Sequence, residues 1–295
     1  MDQAARRLDA ISSHLNTQTC SGNYPKGLLA GEVAIITGSG QGIGRSAAIL
    51  FAKEGAYVVV TDVDASKSDA VAQEITSQGL SAISIPGDVM DPAFPEKLVE
   101  GAVAKFGRLN HIVNNAGFTY DGMLHKTTDK QWDMMLTVHN TAPFRIIRAA
   151  AKHLRKQDGA NKCIVNISST SGLHGNIGQA NYATAKAGVV GLTKTVAKEW
   201  GAFGVRCNTV AFGWIETRLT AAKESGAVME VDGRKIALGI PTGNRKPGAA
   251  TAYADIPLQR SGKPDEAAGG ILAMCSPFAS YISGHTLEVT GGRGI

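Results

Sequence analysis

Short apolar runs alternate with helix-length segments from residue 31 to the end of the chain. Seven runs rich in β-branched residues are typical of strands, at 33–37, 57–61, 82–85, 109–113, 163–167, 205–210 and 286–289. The intervening segments of helix length are 43–54, 66–78, 92–106, 129–157, 182–202 and 264–275. Near-continuous apolar strands that alternate with helices indicate a parallel sheet with helices on both faces. We therefore predict a single α/β domain, a doubly wound sheet of seven parallel strands, over residues 31–295.

Two stretches do not follow this alternation. Residues 1–30 show no strong period, and we predict an N-terminal extension. Residues 218–256 are rich in Gly, Ala, Lys and Pro and lie between the sixth strand and the last helix. Long insertions in compact domains are usually lids or binding loops, so we predict a substrate lid at about 218–256. The alternative is a surface loop without a function.

Composition and charge exclude several classes of protein. Hydrophobic residues make up 43% and charged residues 19%, which is typical of a soluble globular chain, and no apolar run reaches the roughly 18–20 residues of a membrane span. The net charge of +5 is scattered, so we expect no nucleic-acid binding. Cys20, Cys163, Cys207 and Cys275 lie far apart without metal-ligand spacing. We predict reduced cysteines, no metal site and a cytoplasmic location.

A glycine-rich turn, "TGSGQGIG" at residues 37–44, follows the first strand and precedes the first helix. Gly38, Gly42 and Gly44 permit a tight turn and a close approach of the backbone to a pyrophosphate. The helix that follows directs its free N–H groups and its positive dipole end at that anion. A glycine-rich turn alone is weak evidence, but the strand–turn–helix context makes this one a predicted dinucleotide cradle.

The second strand ends in an acid, Asp62, 24 residues after Gly38. An acid at this place binds the hydroxyls of the adenosine ribose and repels a 2′-phosphate. Gln41 in the glycine-rich turn offers no positive charge in compensation. We therefore favour NAD(H), with NADP(H) left open; the alternative for Asp62 is a solvated strand end.

The third and fourth strands also end in small or polar residues. Asp88 and Val89 follow the third strand, and "NNAG" at residues 114–117 follows the fourth. In open α/β sheets, ligands bind beyond the carboxyl ends of the strands. Each stretch alone could be turn chemistry, but together they predict one crevice.

Tyr182 and Lys186 in "NYATAK" are four residues apart, so they lie on one face of a helix. Any amphipathic helix could carry such a pair. Ser169, however, ends the fifth strand thirteen residues upstream and can meet the pair at the crevice. An adjacent ammonium favours the phenolate, so we expect the pKa of Tyr182 to lie below its usual value, which suits a general acid–base.

The motifs "TGSGQGIG", "NNAG", "NISS" and "YATAK", in this order and spacing, resemble those of the short-chain dehydrogenase/reductase family over residues 30–295. The resemblance implies a Rossmann-type fold, a nicotinamide cofactor and oxidoreduction of a secondary alcohol or ketone. It implies that Tyr182 is the general acid–base, that Ser169 binds the substrate oxygen and that Lys186 binds the nicotinamide ribose. The cofactor contacts we expect are Gly38, Gln41, Gly42, Ile43, Gly44, Asp62, Val63, Asp88, Val89, Asn115, Ala116, Gly117, Tyr182, Lys186, Gly213, Ile215 and Thr217.

Two positions depart from the family pattern. An asparagine of the proton relay usually lies five residues before a phenylalanine, but five residues before Phe144 stands His139, and Asn140 is one residue late. We favour His139 as the fourth catalytic residue, while a core histidine, or Asn140 in the relay, stays open. Phe212 replaces the usual proline before Gly213, which predicts a more mobile or differently walled nicotinamide pocket.

The scaffold around Tyr182 is most similar to 3-oxoacyl-(acyl carrier protein) reductases, which implies an acyl-carrier-linked or small-molecule ketone or alcohol as substrate. Asp62 departs from the NADPH preference of those enzymes, so an NAD-linked 3-hydroxyacyl, sugar-alcohol or other secondary-alcohol dehydrogenase is the alternative. A non-catalytic dinucleotide-sensing regulator and a purely structural domain are remote alternatives, because the chain keeps Ser169, Tyr182 and Lys186. Family members usually form dimers or tetramers, and we expect a homotetramer.

Overall fold

Seven of the strands form one parallel sheet. The structure is a computed structural model that describes residues 24, 26–221, 226, 228–231, 234–237, 239 and 253–294. In chain order its strands are β1 (Val33–Thr37), β2 (Tyr57–Thr61), β3 (Ala82–Ser84), β4 (His111–Asn114), β5 (Lys162–Ser169), β6 (Val205–Phe212), β7 (Val228–Val231), β8 (Arg234–Ala237) and β9 (Thr286–Val289). The sheet order is β3-β2-β1-β4-β5-β6-β9, and every pairing within it is parallel. The chain therefore reverses its direction of winding between β1 and β4.

Helices cover both faces of this sheet. They are α1 (Gly42–Lys53), α2 (Ala65–Ser77), α3 (Phe94–Phe106), α4 (Asp129–Leu136), α5 (Ala142–Leu154), α6 (Thr170–His174), α7 (Ala180–Trp200) and α8 (Pro264–Cys275). Short 3₁₀ turns lie at Leu124–Lys126, Gly201–Phe203 and Pro277–Ala279. The predicted doubly wound α/β fold with seven parallel strands is confirmed.

The alternation of side chains along each strand divides the core into two layers. In β1, Ala34 and Ile36 belong to one apolar cluster, and Val33 and Ile35 belong to the other. Successive side chains of a strand point to opposite faces, so every central strand must be apolar throughout. The first layer contains α1, α2 and α8, which contribute residues such as Phe51, Ile75 and Ile271. The second layer contains α3, α5 and α7, which contribute residues such as Leu98, Ile146 and Trp200.

The single helix predicted over 129–157 is wrong, because a π turn at Thr137–Thr141 separates α4 from α5. The physical reason lies in Pro143, which has no N–H and cannot donate to the carbonyl four residues earlier. The N–H of Ala142 instead bonds the carbonyl of Thr137, five residues back. The extra residue of a π turn changes the directions of its side chains relative to those of a regular α-helix. Such turns are common at functional sites.

The predicted lid at 218–256 contains an antiparallel hairpin of β7 and β8. The sequence analysis missed it, although "VMEVDGRKIA" holds the Asp-Gly pair that favours tight hairpin turns. Residues 222–225, 227, 232–233, 238 and 240–252 lie outside the described residues. The role of the stretch as a lid stays a prediction.

Part of the predicted N-terminal extension packs against the domain. Leu29 is fully buried, and its N–H donates to the carbonyl of Glu54 at 2.9 Å, just beyond α1. Residues 1–23 and 25 of the extension lie outside the described residues.

The prediction of reduced cysteines is confirmed where the structure describes them, since Cys163, Cys207 and Cys275 are free and buried. Cys20 lies outside the described residues, and the cytoplasmic location stays a prediction. Within the described part of the chain, no helix has the length and apolar character needed to cross a membrane. The same residues contain no group of three or more His, Cys, Asp or Glu side chains placed to hold a metal ion.

Candidate active site

The turn between β1 and α1 has the geometry of an anion cradle. Gly38 and Gly42 have φ angles of 63° and 56°, in the left-handed region that favours glycine. A Cβ on Gly44 would lie 2.3 Å from the carbonyl oxygen of Gly38, so this position excludes any side chain. A Cβ on Gly42 would meet, among the described residues, only the Thr217 methyl at 3.7 Å. The backbone at Gly42 therefore faces open space at the start of α1.

A cleft of about 410 Å³ opens beyond the carboxyl ends of β1, β2 and β4. It lies where the winding of the sheet reverses, which is where ligands bind in this class of fold. The predicted cofactor residues that line it are Gly38, Gln41, Gly42, Ile43, Gly44, Asp62, Val63, Asp88, Val89, Asn115, Ala116, Gly117 and Thr217. The sequence analysis missed seven further residues of its wall, which are Thr61, Gly87, Met90, Phe118, Val138, Arg218 and Leu219.

Four predicted cofactor contacts are not among the residues that line this cleft, namely Tyr182, Lys186, Gly213 and Ile215. Ile215 is buried and forms an isolated bridge with Gly262. A Cβ on Gly213 would lie 3.0 Å from the Cα of Thr290, so this glycine backs onto the segment after β9. Their direct contact with a cofactor stays a prediction.

Asp62 forms part of the cradle itself. Its Oδ2 accepts from the N–H of Gly40 at 3.1 Å, and its Oδ1 accepts from the N–H of Asp64 at 3.1 Å. The carboxylate is buried at the end of β2, held by two backbone donors beside the cleft. A dinucleotide fits these residues, because an open backbone at a helix N-terminus and an acid at the second strand are the two groups that its pyrophosphate and ribose require.

Ser169, Tyr182 and Lys186 meet at the end of β5, as the sequence predicts. The side chain of Ser169 lies near enough to the hydroxyl of Tyr182 to lower the pKa of that hydroxyl. Lys186 Nζ lies 5.6 Å from the centroid of the Tyr182 ring and donates to the carbonyl of Ile167 at 2.7 Å. The carbonyl of Lys186 in turn accepts from the Ser168 hydroxyl at 2.7 Å, which fixes α7 against β5.

The expected direction of the Tyr182 pKa is wrong. Burial raises the pKa of Tyr182 to about 12, and the nearby Ser169 side chain offsets this only in part, while Asp121 adds to the rise. Burial also lowers the pKa of Lys186 to about 7. The sequence argument counted the charge of the lysine but not the burial of both groups, and burial disfavours each charged form. At neutral pH the phenol therefore keeps its proton.

His139 lies beside this pair, on the π turn. Its Nε2 is 2.9 Å from the carbonyl oxygen of Phe118, and a carbonyl can only accept, so Nε2 carries the proton. Its Nδ1 is buried without a partner among the described residues. The ring packs edge-to-face on Tyr182 at 5.2 Å, and burial together with Lys186 holds the His139 pKa well below its usual value. His139 is thus a neutral imidazole with one unused acceptor.

Asn140 also contacts α7, but through the backbone of that helix. Its Nδ2 donates to the carbonyl of Ala185 on α7 at 2.9 Å, and a Cβ on Gly188 would lie 2.9 Å from the same nitrogen. Its Oδ1 is buried without a partner in the described part of the chain. Asn140 therefore ties the π turn to α7.

Gln41 itself offers no positive charge, but Arg218, which the sequence did not bring to attention, lies against it. With the Gln41 amide oriented so that its oxygen faces the guanidinium, that oxygen accepts from NH2 of Arg218 at 2.8 Å. Arg218 follows Thr217 in the loop after β6, far from Gln41 in sequence. No local pattern marks it, because only the folded chain brings the two together.

Comparison with known proteins agrees with this geometry. The family model described as short chain dehydrogenase matches residues 32–227 of the chain. The chain belongs to this family. The resemblance drawn from the motifs is confirmed, and the chain is accordingly an oxidoreductase that uses a nicotinamide cofactor and acts on alcohol or keto groups.

Curated relatives extend the match over most of the chain. The 3-oxoacyl-[acyl-carrier-protein] reductase of Thermotoga maritima is 37% identical over 266 residues, which cover 90% of this chain and 98% of the relative. The enzyme of the same name from Synechocystis sp. is 36% identical, covering 90% and 97%. That of Vibrio cholerae is 35% identical, covering 90% and 98%.

The buried Lys186 predicts a pH dependence of stability. The unfolded chain holds the lysine proton up to about pH 10.5, whereas the folded dehydrogenase releases it above about pH 7. The unfolded state binds more protons in this window, so the free energy of unfolding rises with pH through it. In urea unfolding between pH 7.5 and 9.5, we expect the wild-type curve to rise about 1.4 kcal/mol per pH unit more steeply than that of Lys186→Met.

The matched control is Lys194→Met, which removes an exposed lysine from the same helix. Its stability should follow the pH dependence of the wild type. Parallel curves for wild type and Lys186→Met would contradict the prediction.

Proposed function

We propose that this dehydrogenase is a 3-oxoacyl-(acyl carrier protein) reductase. The observation that carries the proposal is the protonated, half-buried phenol of Tyr182, which lies near Ser169 and packs on His139, whose ring is hydrogen-bonded to Phe118 in the wall of the cleft. A proton donor of this kind suits the reduction of a keto group to an alcohol. Support also comes from the names of relatives that are 35–37% identical over about 90% of the chain.

The chemistry divides between the cofactor and the chain. The bound nicotinamide would supply a hydride to the keto carbon. The hydroxyl of Ser169 binds the keto oxygen, and Tyr182 Oη gives its proton to that oxygen. The phenolate left on Tyr182 is stabilised by the Lys186 ammonium, which can return a proton to it. A lysine whose pKa lies near 7 is useful here, because it can both stabilise the phenolate and give a proton to it.

We propose that the cleft prefers NAD(H) to NADP(H). Asp62 is held by two backbone N–H groups at the end of β2, and its charge faces the place of the adenosine ribose. A fixed carboxylate accepts hydrogen bonds from ribose hydroxyls and repels a 2′-phosphate. The same observation favours a second candidate function, an NAD-linked 3-hydroxyacyl or other secondary-alcohol dehydrogenase.

One assay tests the function and separates the candidates. Purified protein is given a 3-oxoacyl thioester with NADH and NADPH in parallel, together with a panel of 3-hydroxyacyl, sugar-alcohol and other secondary-alcohol substrates. We expect reduction of the thioester, faster with NADH. We expect Tyr182→Phe to lose at least about a hundredfold in kcat, because the ring remains but the proton donor is gone.

The matched control is Tyr57→Phe, which keeps its ring stack on Phe106 outside the cleft and should keep full activity. Turnover of only the alcohol panel would favour the second candidate. Equal turnover by wild type and Tyr182→Phe would contradict the proposed role of the tyrosine.

We propose that the relay runs through His139 rather than Asn140, because the unused acceptor of His139 lies beside Tyr182 and Lys186. His139→Ala should lose about tenfold or more in kcat with little change in dinucleotide affinity, and its pH profile should shift. Asn140→Ala should keep most of the turnover. If only Asn140→Ala lost turnover, this assignment would be contradicted. Turnover that is kept in His139→Asn but lost in His139→Ala would indicate that residue 139 acts in the relay and not only in packing.

We propose a homotetramer as the assembly. Phe144 on α5 and Tyr281 and Ile282 near the C-terminus are large apolar side chains that the single chain leaves exposed. Exposed apolar side chains are buried favourably when two protein surfaces associate. Gel filtration with light scattering should give about four times the chain mass of 30.8 kDa, and a monomer peak would contradict the proposal.

A further inference from the structure

The loop after β6 holds Arg218 over the mouth of the cleft. The loop is anchored by the bridge between Ile215 and Gly262 and by the N–H of Glu216, which donates to the carbonyl of Gly262 at 2.8 Å. A turn then follows, in which the N–H of Thr217 donates to the hydroxyl of Thr220 at 3.0 Å. The backbone of Arg218 is thus fixed on both sides.

The guanidinium of Arg218 crosses the cleft to the glycine-rich turn. All three of its nitrogens lie near the side-chain oxygen of Gln41, at 2.8 Å from NH2, 3.1 Å from NH1 and 3.3 Å from Nε. Gln41 is the residue immediately before α1. The side chain therefore joins the β6 side of the cleft to the start of that helix.

This contact places a positive group where the helix is already positive. The first turn of α1 contains no acidic residue, and Gln41 makes no side-chain cap hydrogen bond to it. In contrast, α2 and α4 are capped by Asp64 and Thr128. The free N–H groups of a helix start and its dipole attract an anion and repel a cation. Burial lowers the pKa of the half-buried Arg218 despite the opposing effect of Asp62 and Asp64.

The helix start and Arg218 would both be satisfied by a doubly charged anion lying between them. We propose that Arg218 binds the pyrophosphate of the dinucleotide against the start of α1 and so closes the cleft over it. The proposal rests on the cofactor binding given under the proposed function. It adds to the cradle the cation that the glycine-rich turn does not contain.

The surrounding charges favour the pyrophosphate over a 2′-phosphate as the partner of Arg218. Asp62 lies at the end of β2, on the side of the adenosine ribose, and Asp64 pairs with Lys67 at 2.8 Å beside it. The negative charges of Asp62 and Asp64 disfavour a further anion, such as a 2′-phosphate, on the side of the adenosine ribose. Arg218 should therefore act equally on both forms of the cofactor.

The test measures binding without turnover. Calorimetry gives the Kd of ADP-ribose and of 2′-phospho-ADP-ribose for wild type and for Arg218→Ala, at low and at high salt. We expect the variant to bind each ligand about tenfold to a hundredfold more weakly, by the same factor, since a charge-assisted hydrogen bond is lost in both. Its affinity should also depend less on salt. Arg218→Lys should restore part of the affinity, since it keeps the charge but not the planar fork.

The matched control is Arg260→Ala, which removes the same charge from an exposed pair with Glu266 outside the cleft and should leave both Kd values unchanged. Equal affinities of wild type and Arg218→Ala would overturn the proposal. A loss confined to the 2′-phosphorylated ligand would overturn it too, because Arg218 would then recognise the 2′-phosphate. Neither result depends on which ketone or alcohol the enzyme accepts, so failure here is distinct from failure of the proposed reaction.

Discussion

The hydrogen bonds that join the ends of β1 and β4 hold the cleft open, and the site depends on them. The Thr37 hydroxyl accepts from the N–H groups of Asn115 and Ala116 at 3.0 and 2.9 Å. The Asn115 amide donates back to the carbonyl of Thr37 at 2.8 Å and to that of Gly38 at 3.2 Å. These two strands flank the point where the winding reverses. This one set of hydrogen bonds therefore positions the glycine-rich turn on one side of the cleft and the segment that leads toward Tyr182 on the other.

Burial sets the chemistry of the proton site. Tyr182 is half-buried, Lys186 and His139 are buried, and desolvation shifts the pKa of each in the direction that favours its neutral form. A neutral phenol can donate a proton to the oxygen of a keto group. At the cradle, by contrast, backbone N–H groups of the turn, the carboxylate of Asp62 and the half-buried guanidinium of Arg218 lie close to one another. The surroundings of Tyr182 therefore suit a neutral reacting group, and the cradle suits a charged group such as a pyrophosphate.

Much of this architecture could be predicted from the order of the residues. The period of the apolar runs determined the parallel sheet, since a strand buried on both faces must be apolar throughout. The positions of Gly38, Gly42 and Gly44 marked the cradle, because only glycine permits that turn. Ser169, Tyr182 and Lys186 could be grouped because strand ends and helix starts meet at one edge of such a sheet. In contrast, the π turn at Thr137–Thr141 was not predictable in the same way. Pro143 marks a disturbance in an otherwise helical pattern, but propensity alone does not distinguish a π turn from a kink.

The sequence by itself determined the fold class, the glycine-rich cradle and the grouping of Ser169, Tyr182 and Lys186, because these follow from local periodicity and from residue types that chemistry makes hard to replace. Only the tertiary structure decided the protonation of Tyr182 and Lys186, because burial is a property of everything packed around a group. It also decided that the ring of His139 packs on the side chain of Tyr182, whereas Asn140 donates to the backbone carbonyl of Ala185 on the same helix. The contact of Arg218 with Gln41 joins residues far apart in the chain, and no pattern along one segment encodes such a meeting.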